Sequence, residues 1–342
     1  MKVKLLIISG FLLSFGIGFM VGQLILIKTQ KPTQIVSQVV DRSLDKYTID
    51  NLSNYWNTKT DPSTTLRVTS QLKDFPEFTS SEFIMNFNPS TSLGTVVQTK
   101  KTSGLINIPK GEGKYPLVIM IRGYVPTEQY FTGNGTINGS YFFAKNGFIT
   151  VAPDFLGYGD SDKESSNVFE SRFQTYTTVM AVLKSVGQIP NWDGKNIFIW
   201  AHSNGGQIAL TTLEITGVNY PTVLWAPVSS SFPFDILYYS DEADDQGKSL
   251  RKELSTFEDV YNTDLYSLNN YLDKIKAPIQ LDQGTADDSV PVDWSDNLAD
   301  NLKKQGLPVV YNKYPGADHM MTPLWNTVIQ KDLEYFTKNL KN

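Results

Sequence analysis

The stretch FIWAHSNGGQIAL, residues 198–210, decides the fold of this chain. An apolar, strand-like run ends just before Ser203, and a helix-compatible run begins just after it. Ala201 and Gly205 lie two positions before and two positions after the serine, so small side chains flank the turn. A serine in such a strand–turn–helix junction is typical of a nucleophile elbow, where the first position needs only a small residue. The stretch therefore predicts that Ser203 is a nucleophile.

A serine hydroxyl is a weak nucleophile and needs a general base. The sequence contains only two histidines, and the side chain of His202 should diverge from its neighbour at a tight turn. His319, in the loop YPGADHMM, is therefore the expected base. A carboxylate must orient the imidazole, and QGTADDSVPV offers Asp287 and Asp288 after a strand. Serine, aspartate and histidine then follow in the order Ser…Asp…His.

Short apolar runs alternate with helix-period segments on both sides of the elbow. The runs that indicate strands cover residues 103–109, 116–121, 147–155, 196–201, 221–226, 277–283 and 308–315. The segments that indicate helices cover residues 171–189, 205–215, 292–305 and 322–340. This alternation predicts an α/β fold with a mostly parallel sheet and helices on both of its faces.

A longer acidic and aromatic segment, about residues 230–275, separates two of these strands and is interpreted as an inserted cap. Its aromatic residues are candidates for lining an apolar pocket, with packing of the cap onto the domain as the alternative. These residues are Phe232, Phe234, Tyr238, Tyr239, Tyr261 and Tyr266. We expect Phe232 and Tyr238, together with Arg122 from the loop IRGY, to contribute to a substrate pocket.

The composition excludes several classes of protein. Of the 342 residues, 40% are hydrophobic and 19% are charged, which is typical of a globular chain with a core. The net charge of −5 provides no basic surface for nucleic acid. The absence of cysteine excludes disulfides, thiolate nucleophiles and cysteine-based metal sites. Two histidines are too few for a multi-histidine metal site, so neither a metal nor a cofactor is expected.

The N-terminal part of the chain predicts a membrane anchor. The uncharged run from Leu5 to Ile27 has 23 residues, and as a helix it would extend about 34 Å, enough to cross a hydrocarbon core of about 30 Å. A cleaved signal peptide is the alternative. The lysines before the run favour an extracytoplasmic catalytic domain, or a secreted one after cleavage. We expect residues 1–28 to be the anchor, 29–80 a helical stem and 81–342 the catalytic domain.

The quoted motifs, together with VAPDFLGYGDSD and TSGLINIPKGEGKYPLVIMIRGY, resemble those of the α/β-hydrolase superfamily, and within it the catalytic domain of the prolyl oligopeptidase family and dienelactone-hydrolase-like enzymes. The resemblance implies that Asp287, three residues before the valine in G-x-x-D-x-x-V, is the triad acid rather than Asp288. It also implies that the backbone N–H groups of Asn204 and Tyr124 form the oxyanion hole. Residues 28–80 are too few for the β-propeller that precedes this domain in full-length members.

The expected activity is that of a serine hydrolase that cleaves peptide or ester bonds through an acyl-enzyme. His319 would take the proton of Ser203, and Asp287 would orient the imidazole. Two alternatives stay open: a carboxylesterase or acyltransferase of the same fold, and a binding protein that has kept the fold without turnover. The sequence does not predict the oligomeric state.

Overall fold

A computed structural model describes residues 41–58, 64–89 and 99–341. Residues from Arg42 onward form one compact unit. The anchor predicted from Leu5 to Ile27, and the signal peptide that is its alternative, lie outside the described residues, so both stay predictions. In the part of the chain that is described, no helix combines the length and the apolar character needed to cross a membrane.

The core of this unit is a nine-stranded sheet in the order β1-β2-β3-β5-β4-β6-β7-β8-β9. The strands from β5 to β9 in this order run parallel to one another, and β1, β2 and β3 add an antiparallel extension at the β5 edge. Their bounds are β1 Thr65–Asp74, β2 Phe78–Phe87, β3 Lys100–Pro109, β4 Tyr115–Ile121, β5 Ile149–Pro153, β6 Trp192–His202, β7 Thr222–Trp225, β8 Ile279–Gly284 and β9 Val309–Tyr314.

Helices cover both faces of the sheet, as predicted. The α-helices of the described ranges are α1 Ile49–Asn57, α2 Ile137–Lys145, α3 Val168–Ser185, α4 Asn204–Thr216, α5 Phe234–Leu237, α6 Lys248–Glu258, α7 Val292–Lys304 and α8 Trp325–Lys338. The segment between β7 and β8, interpreted as a cap, contains α5, α6 and several single 3₁₀ turns. The α/β-hydrolase fold with its mostly parallel sheet is therefore confirmed.

The alternation of side chains along β4 explains why the sheet is covered twice. Leu117, Ile119 and Ile121 pack into one buried cluster, together with residues of α3 and α4. Val118 and Met120 point the other way, into a second cluster built with residues of α2 and α8. Side chains alternate between the faces of a strand, so a run that is apolar at every position needs cover on both sides.

The predicted boundary between a stem and a catalytic domain is wrong. Part of the proposed stem is helical, because α1 lies within it, but β1 and β2 are strands of the main sheet and the boundary at 80/81 falls inside β2. Strand β1 is mostly exposed along its length, so it lacks the apolar run by which the other strands were recognised. Tyr47, Ile49 and Leu52 are buried in the same core.

Candidate active site

Ser203 lies in a strained turn between β6 and α4. Its backbone has φ 56° and ψ −124°, a conformation with positive φ that residues other than glycine rarely adopt. The surrounding hydrogen bonds impose this conformation. The Ser203 N–H donates to the carbonyl of Trp225 at 2.9 Å, and its carbonyl accepts from the N–H groups of Gly206 and Val228 at 2.8 and 3.0 Å. The strand–turn–helix junction predicted from the sequence is thus present.

The small residues around the serine are explained by close packing. A Cβ on Gly205 would lie 2.3 Å from the carbonyl oxygen of Ile121, and one on Gly206 would lie 2.3 Å from Cβ of Pro227. Neither contact is possible for real atoms, so α4 reaches β4 and the end of β7 only because both positions are glycine. Ala201 is fully buried, and its methyl group is accommodated there.

His319 and Asp287 meet in the loops that follow β9 and β8. The distance from His319 Nδ1 to Asp287 Oδ2 is 2.9 Å, and the side chain of Asp287 is inaccessible to solvent while that of His319 is 16% exposed. The other carboxylate oxygen, Oδ1, accepts from the N–H groups of Ser289 and Val290, each at 2.9 Å. Gln283 Nε2 also donates to Oδ2 at 2.9 Å. The carboxylate is therefore held on both oxygens.

These contacts determine the charge and orientation of the pair. Burial disfavours the charged form of Asp287, but the hydrogen bonds from His319 and from the Val290 N–H outweigh it and lower the pKa of Asp287. An ionised Asp287 accepts the Nδ1–H of His319, which leaves Nε2 as the basic nitrogen. Asp288 is exposed, and its carboxylate accepts from the hydroxyl of Ser289 at 3.3 Å rather than from the imidazole.

The structure brings the elbow and the histidine loop together through His202. The rings of His202 and His319 have centroids 4.5 Å apart, and Ser203 is the next residue along the chain from His202. Within the described ranges, no hydrogen bond joins the Ser203 hydroxyl to His319. Catalytic hydrogen bonds are often long in structures without substrate and shorten in the complex.

Tyr124 and Asn204 border the same small cavity, which has a volume of about 130 Å³. Asn204 is the first residue of α4, so its N–H has no partner within the helix. Tyr124 follows β4, and its side chain is 73% exposed. The two residues predicted to form the oxyanion hole thus line one cavity, and their role as donors to an oxyanion stays a prediction.

Arg122 also lines this cavity, and its contacts indicate a structural role. The guanidinium donates to the carbonyls of Gly123 and Asp154, at 2.9 and 3.0 Å. Its carbon lies 4.0 Å from the ring centroid of Tyr158 and 4.7 Å from that of Tyr130. Arg122 is itself buried. It therefore anchors the loop that carries Tyr124, a role that the sequence did not reveal because these partners come from two connections, one after β4 and one after β5.

Phe232 and Tyr238, which were predicted to contribute to a substrate pocket, both contact other aromatic side chains. Phe232 is buried in an aromatic cluster, with ring centroids 6.0 Å from Phe173 and 5.7 Å from Phe257. Tyr238 is 47% exposed and packs on Trp294, at 5.1 Å between centroids. These contacts favour the alternative, in which the aromatic residues of the insertion pack it onto α3 and α7, and a pocket role for Phe232 and Tyr238 stays a prediction.

The twisted parallel sheet, the strained serine between a strand and a helix, and the histidine–aspartate pair at the ends of later strands define an α/β-hydrolase. The sequence identifies a smaller group of proteins than the fold does. Residues 136–342 match the sequence model of the prolyl oligopeptidase family, Peptidase_S9, and the chain belongs to that family.

Two curated relatives agree with this class. The chain is 25% identical over 246 residues to the uncharacterized peptidase YtmA of Bacillus subtilis, covering 70% of this chain and 89% of that protein. It is 26% identical over 214 residues to the acetyl esterase Axe7A of Xylanibacter ruminicola, covering 55% of this chain and 46% of that protein. The chain is a hydrolase of the kind that cleaves peptide or ester bonds.

Among solved structures, an acetyl xylan esterase from Paenibacillus sp. R4 has the same fold. Its TM-score is 0.57 at 16% identity, with 86% of this chain and 94% of that chain covered. At this identity the likeness concerns the fold alone.

Proposed function

We propose that the protein is a serine hydrolase that acts through an acyl-enzyme, with Ser203 as nucleophile, His319 as general base and Asp287 as the orienting acid. The observation that carries the proposal is the 2.9 Å hydrogen bond from His319 Nδ1 to the buried Asp287 carboxylate, which leaves Nε2 of His319 as the basic nitrogen. The strained backbone of Ser203 supports it, because such strain persists where the surroundings impose it and is common at active sites.

The reaction follows from these positions. His319 Nε2 takes the proton of the Ser203 hydroxyl while the oxygen attacks the substrate carbonyl, and the Asp287 carboxylate stabilises the resulting imidazolium. The N–H groups of Asn204 and Tyr124 donate to the oxyanion. His319 then gives its proton to the leaving group, which departs and leaves the acyl-enzyme. A water molecule that loses its proton to His319 releases the acid and restores the serine.

Within this class we favour an esterase with a short acyl group over a peptidase. The cavity beside the two oxyanion donors has a volume of about 130 Å³, well below the roughly 300–1,000 Å³ typical of pockets for larger ligands. A small acyl group fits such a volume better than a peptidyl group does. The similarity to the acetyl esterase Axe7A supports the same choice.

A fluorophosphonate probe and a substrate series test the proposal. The wild-type protein should be labelled, Ser203→Ala should not, and the exposed Ser255→Ala on α6 should be labelled like the wild type. Nitrophenyl esters of acetate, butyrate and octanoate, compared with nitroanilides of amino acids, should show the highest kcat/KM for acetate. Labelling that persists in Ser203→Ala would remove the serine assignment, and a preference for the nitroanilides would identify a peptidase instead.

A further inference from the structure

His202 has no role in the reaction described above, yet it is closely associated with the general base. It is the last residue of β6 and is 94% buried, with a relative exposure of 6%. Its ring lies against that of His319, with a centroid distance of 4.5 Å and a tilt of 43°. Its Nε2 is 3.0 Å from the backbone carbonyl oxygen of His319.

The direction of this hydrogen bond follows from the partners. Burial and the nearby His319 lower the pKa of His202 to about 4, so its ring is neutral at neutral pH. A carbonyl oxygen only accepts, and a neutral imidazole carries one proton, so Nε2 of His202 is protonated and donates. A neutral His202 also avoids the repulsion that two cations would exert when His319 becomes an imidazolium.

The hydrogen bond from His202 restrains the backbone of His319, whereas Asp287 restrains only its ring. Asp287 holds the imidazole ring of His319 at Nδ1. The carboxylate of Asp318 holds the following residues, through the N–H groups of Met320 and Thr322 at 2.9 and 2.8 Å. Within the described ranges, the backbone of His319 itself takes part in one hydrogen bond, which His202 donates.

We propose that His202 is a positioning residue, whose Nε2–H holds the backbone of His319 in place against the strand that carries Ser203. The proposal rests on the function assigned to Ser203 and His319 above. His202 and Ser203 are consecutive residues at the end of β6, so this one hydrogen bond links the nucleophile strand directly to the loop of the base. A displacement of about 1 Å between reacting groups costs on the order of 100-fold in rate.

Two nearly isosteric substitutions separate this role from a purely structural one. His202→Gln keeps an N–H donor that can reach the His319 carbonyl, whereas His202→Met fills similar space without a donor. We expect His202→Met to lower kcat for nitrophenyl acetate, and the rate of fluorophosphonate labelling, by about 10- to 100-fold, with KM changed less than about twofold. His202→Gln should recover kcat to within about fivefold of the wild type.

Thermal unfolding of both variants provides the control for folding, and their Tm values should be similar because both lose the same imidazole. The proposal is overturned if His202→Met keeps the wild-type kcat, or if the two variants lose kcat equally. It is also overturned if kcat follows Tm rather than the presence of the donor. Wild-type protein that is never labelled would instead contradict the function of Ser203, so the two failures can be distinguished.

Discussion

The backbone of Ser203 shows how a single residue can be stable in an unfavourable conformation. Its φ of 56° is held by hydrogen bonds at both its N–H and its carbonyl, and its Cβ faces Gly123, where an added Cβ would come within 2.9 Å. The proposed roles of Ser203 and His319 were predictable from the sequence, because a chain with two histidines leaves few choices. The contacts of His202 and Arg122 were not, since they join residues that are distant in sequence.

The strain at Ser203 predicts a difference between two inactive variants. Ser203→Gly and Ser203→Ala should both fail to hydrolyse nitrophenyl acetate. Glycine adopts this conformation without the steric cost that Cβ imposes, which is on the order of 1–3 kcal/mol. We expect the free energy of unfolding of Ser203→Gly to exceed that of Ser203→Ala by about 1 kcal/mol, after the greater chain entropy of glycine is included. Urea unfolding measures it, and equal stabilities would contradict the strain.

Arg122 predicts an effect on catalysis through the oxyanion loop. Arg122→Lys retains the charge but cannot donate to the carbonyls of both Gly123 and Asp154 in the same planar geometry, nor stack equally on Tyr158. A misplaced oxyanion donor lowers the rate by up to about 100- to 1,000-fold. We therefore expect kcat to fall by about 10-fold or more in steady-state assays. The matched substitution Arg67→Lys, at an exposed position on β1, should leave kcat unchanged, and an equal response of both variants would exclude the role.

Among the elements, the strands that are buried on both faces were the easiest to recognise from the sequence. Strands such as β4 consist of apolar residues throughout, so their run identifies them. Strand β1 was missed because it is an exposed edge strand, and α2 because Gly139 within it weakens a helical pattern. The structure gives the reason for that glycine: a Cβ there would lie 3.2 Å from Cε of Met120. Packing against the sheet therefore overrides local propensity.

Glu214 on helix α4 predicts that the stability of the protein depends on pH. Glu214 is 1% exposed, and in the described part of the chain neither of its side-chain oxygens has a hydrogen-bond partner. Burial raises its pKa well above the usual value. The folded protein therefore keeps a proton that the unfolded chain releases above about pH 4.3. The stability that this retained proton contributes is fully present below about pH 4.3. It is lost as the pH rises through the folded-state pKa of Glu214.

Glu214→Gln removes this titration. The stability of the variant relative to the wild type should increase by up to about 1.4 kcal/mol per pH unit between about pH 4.3 and the folded-state pKa. Urea unfolding at pH 5, 6.5 and 8 measures the difference. Glu253→Gln, at an exposed position on α6, should show no such trend. If the two glutamine variants depend on pH alike, Glu214 is not protonated in the folded protein.

At the scale of the whole molecule, the fold could be predicted from the sequence more fully than the residue at which the domain begins. The order of serine, acid and base follows from the connections of parallel strands, so the sequence alone indicated the class. The extent of the domain depends instead on residues that pack from a distance. The ring of Tyr47 is tilted against that of Phe173, with centroids 5.9 Å apart, and its hydroxyl donates to the carbonyl of Pro89 at 3.1 Å. No local sequence pattern predicts such contacts.

Three shortened chains would test where the catalytic unit begins. A chain from Arg42 keeps the whole compact unit, one from Thr65 lacks α1, and one from Ser81 lacks α1, β1 and the start of β2. Burying a large apolar side chain contributes about 1.5–3 kcal/mol, and the loss of α1 removes Ile49 and Leu52, which are 1% and 0% exposed. We therefore expect stability to fall from the first chain to the second.

The chain from Ser81 should fail to fold, because it also loses the first three of the ten residues with which β2 pairs with β3 and leaves the other edge of β2 without β1. Fluorophosphonate labelling and thermal unfolding report the outcome on the same samples. The chain from Arg42 should be labelled at the rate of the full-length protein and unfold cooperatively, while the chain from Ser81 should not be labelled. Equal labelling of the two would mean that β1 and the start of β2 are dispensable, and that the catalytic unit begins near residue 81, as the sequence alone suggested.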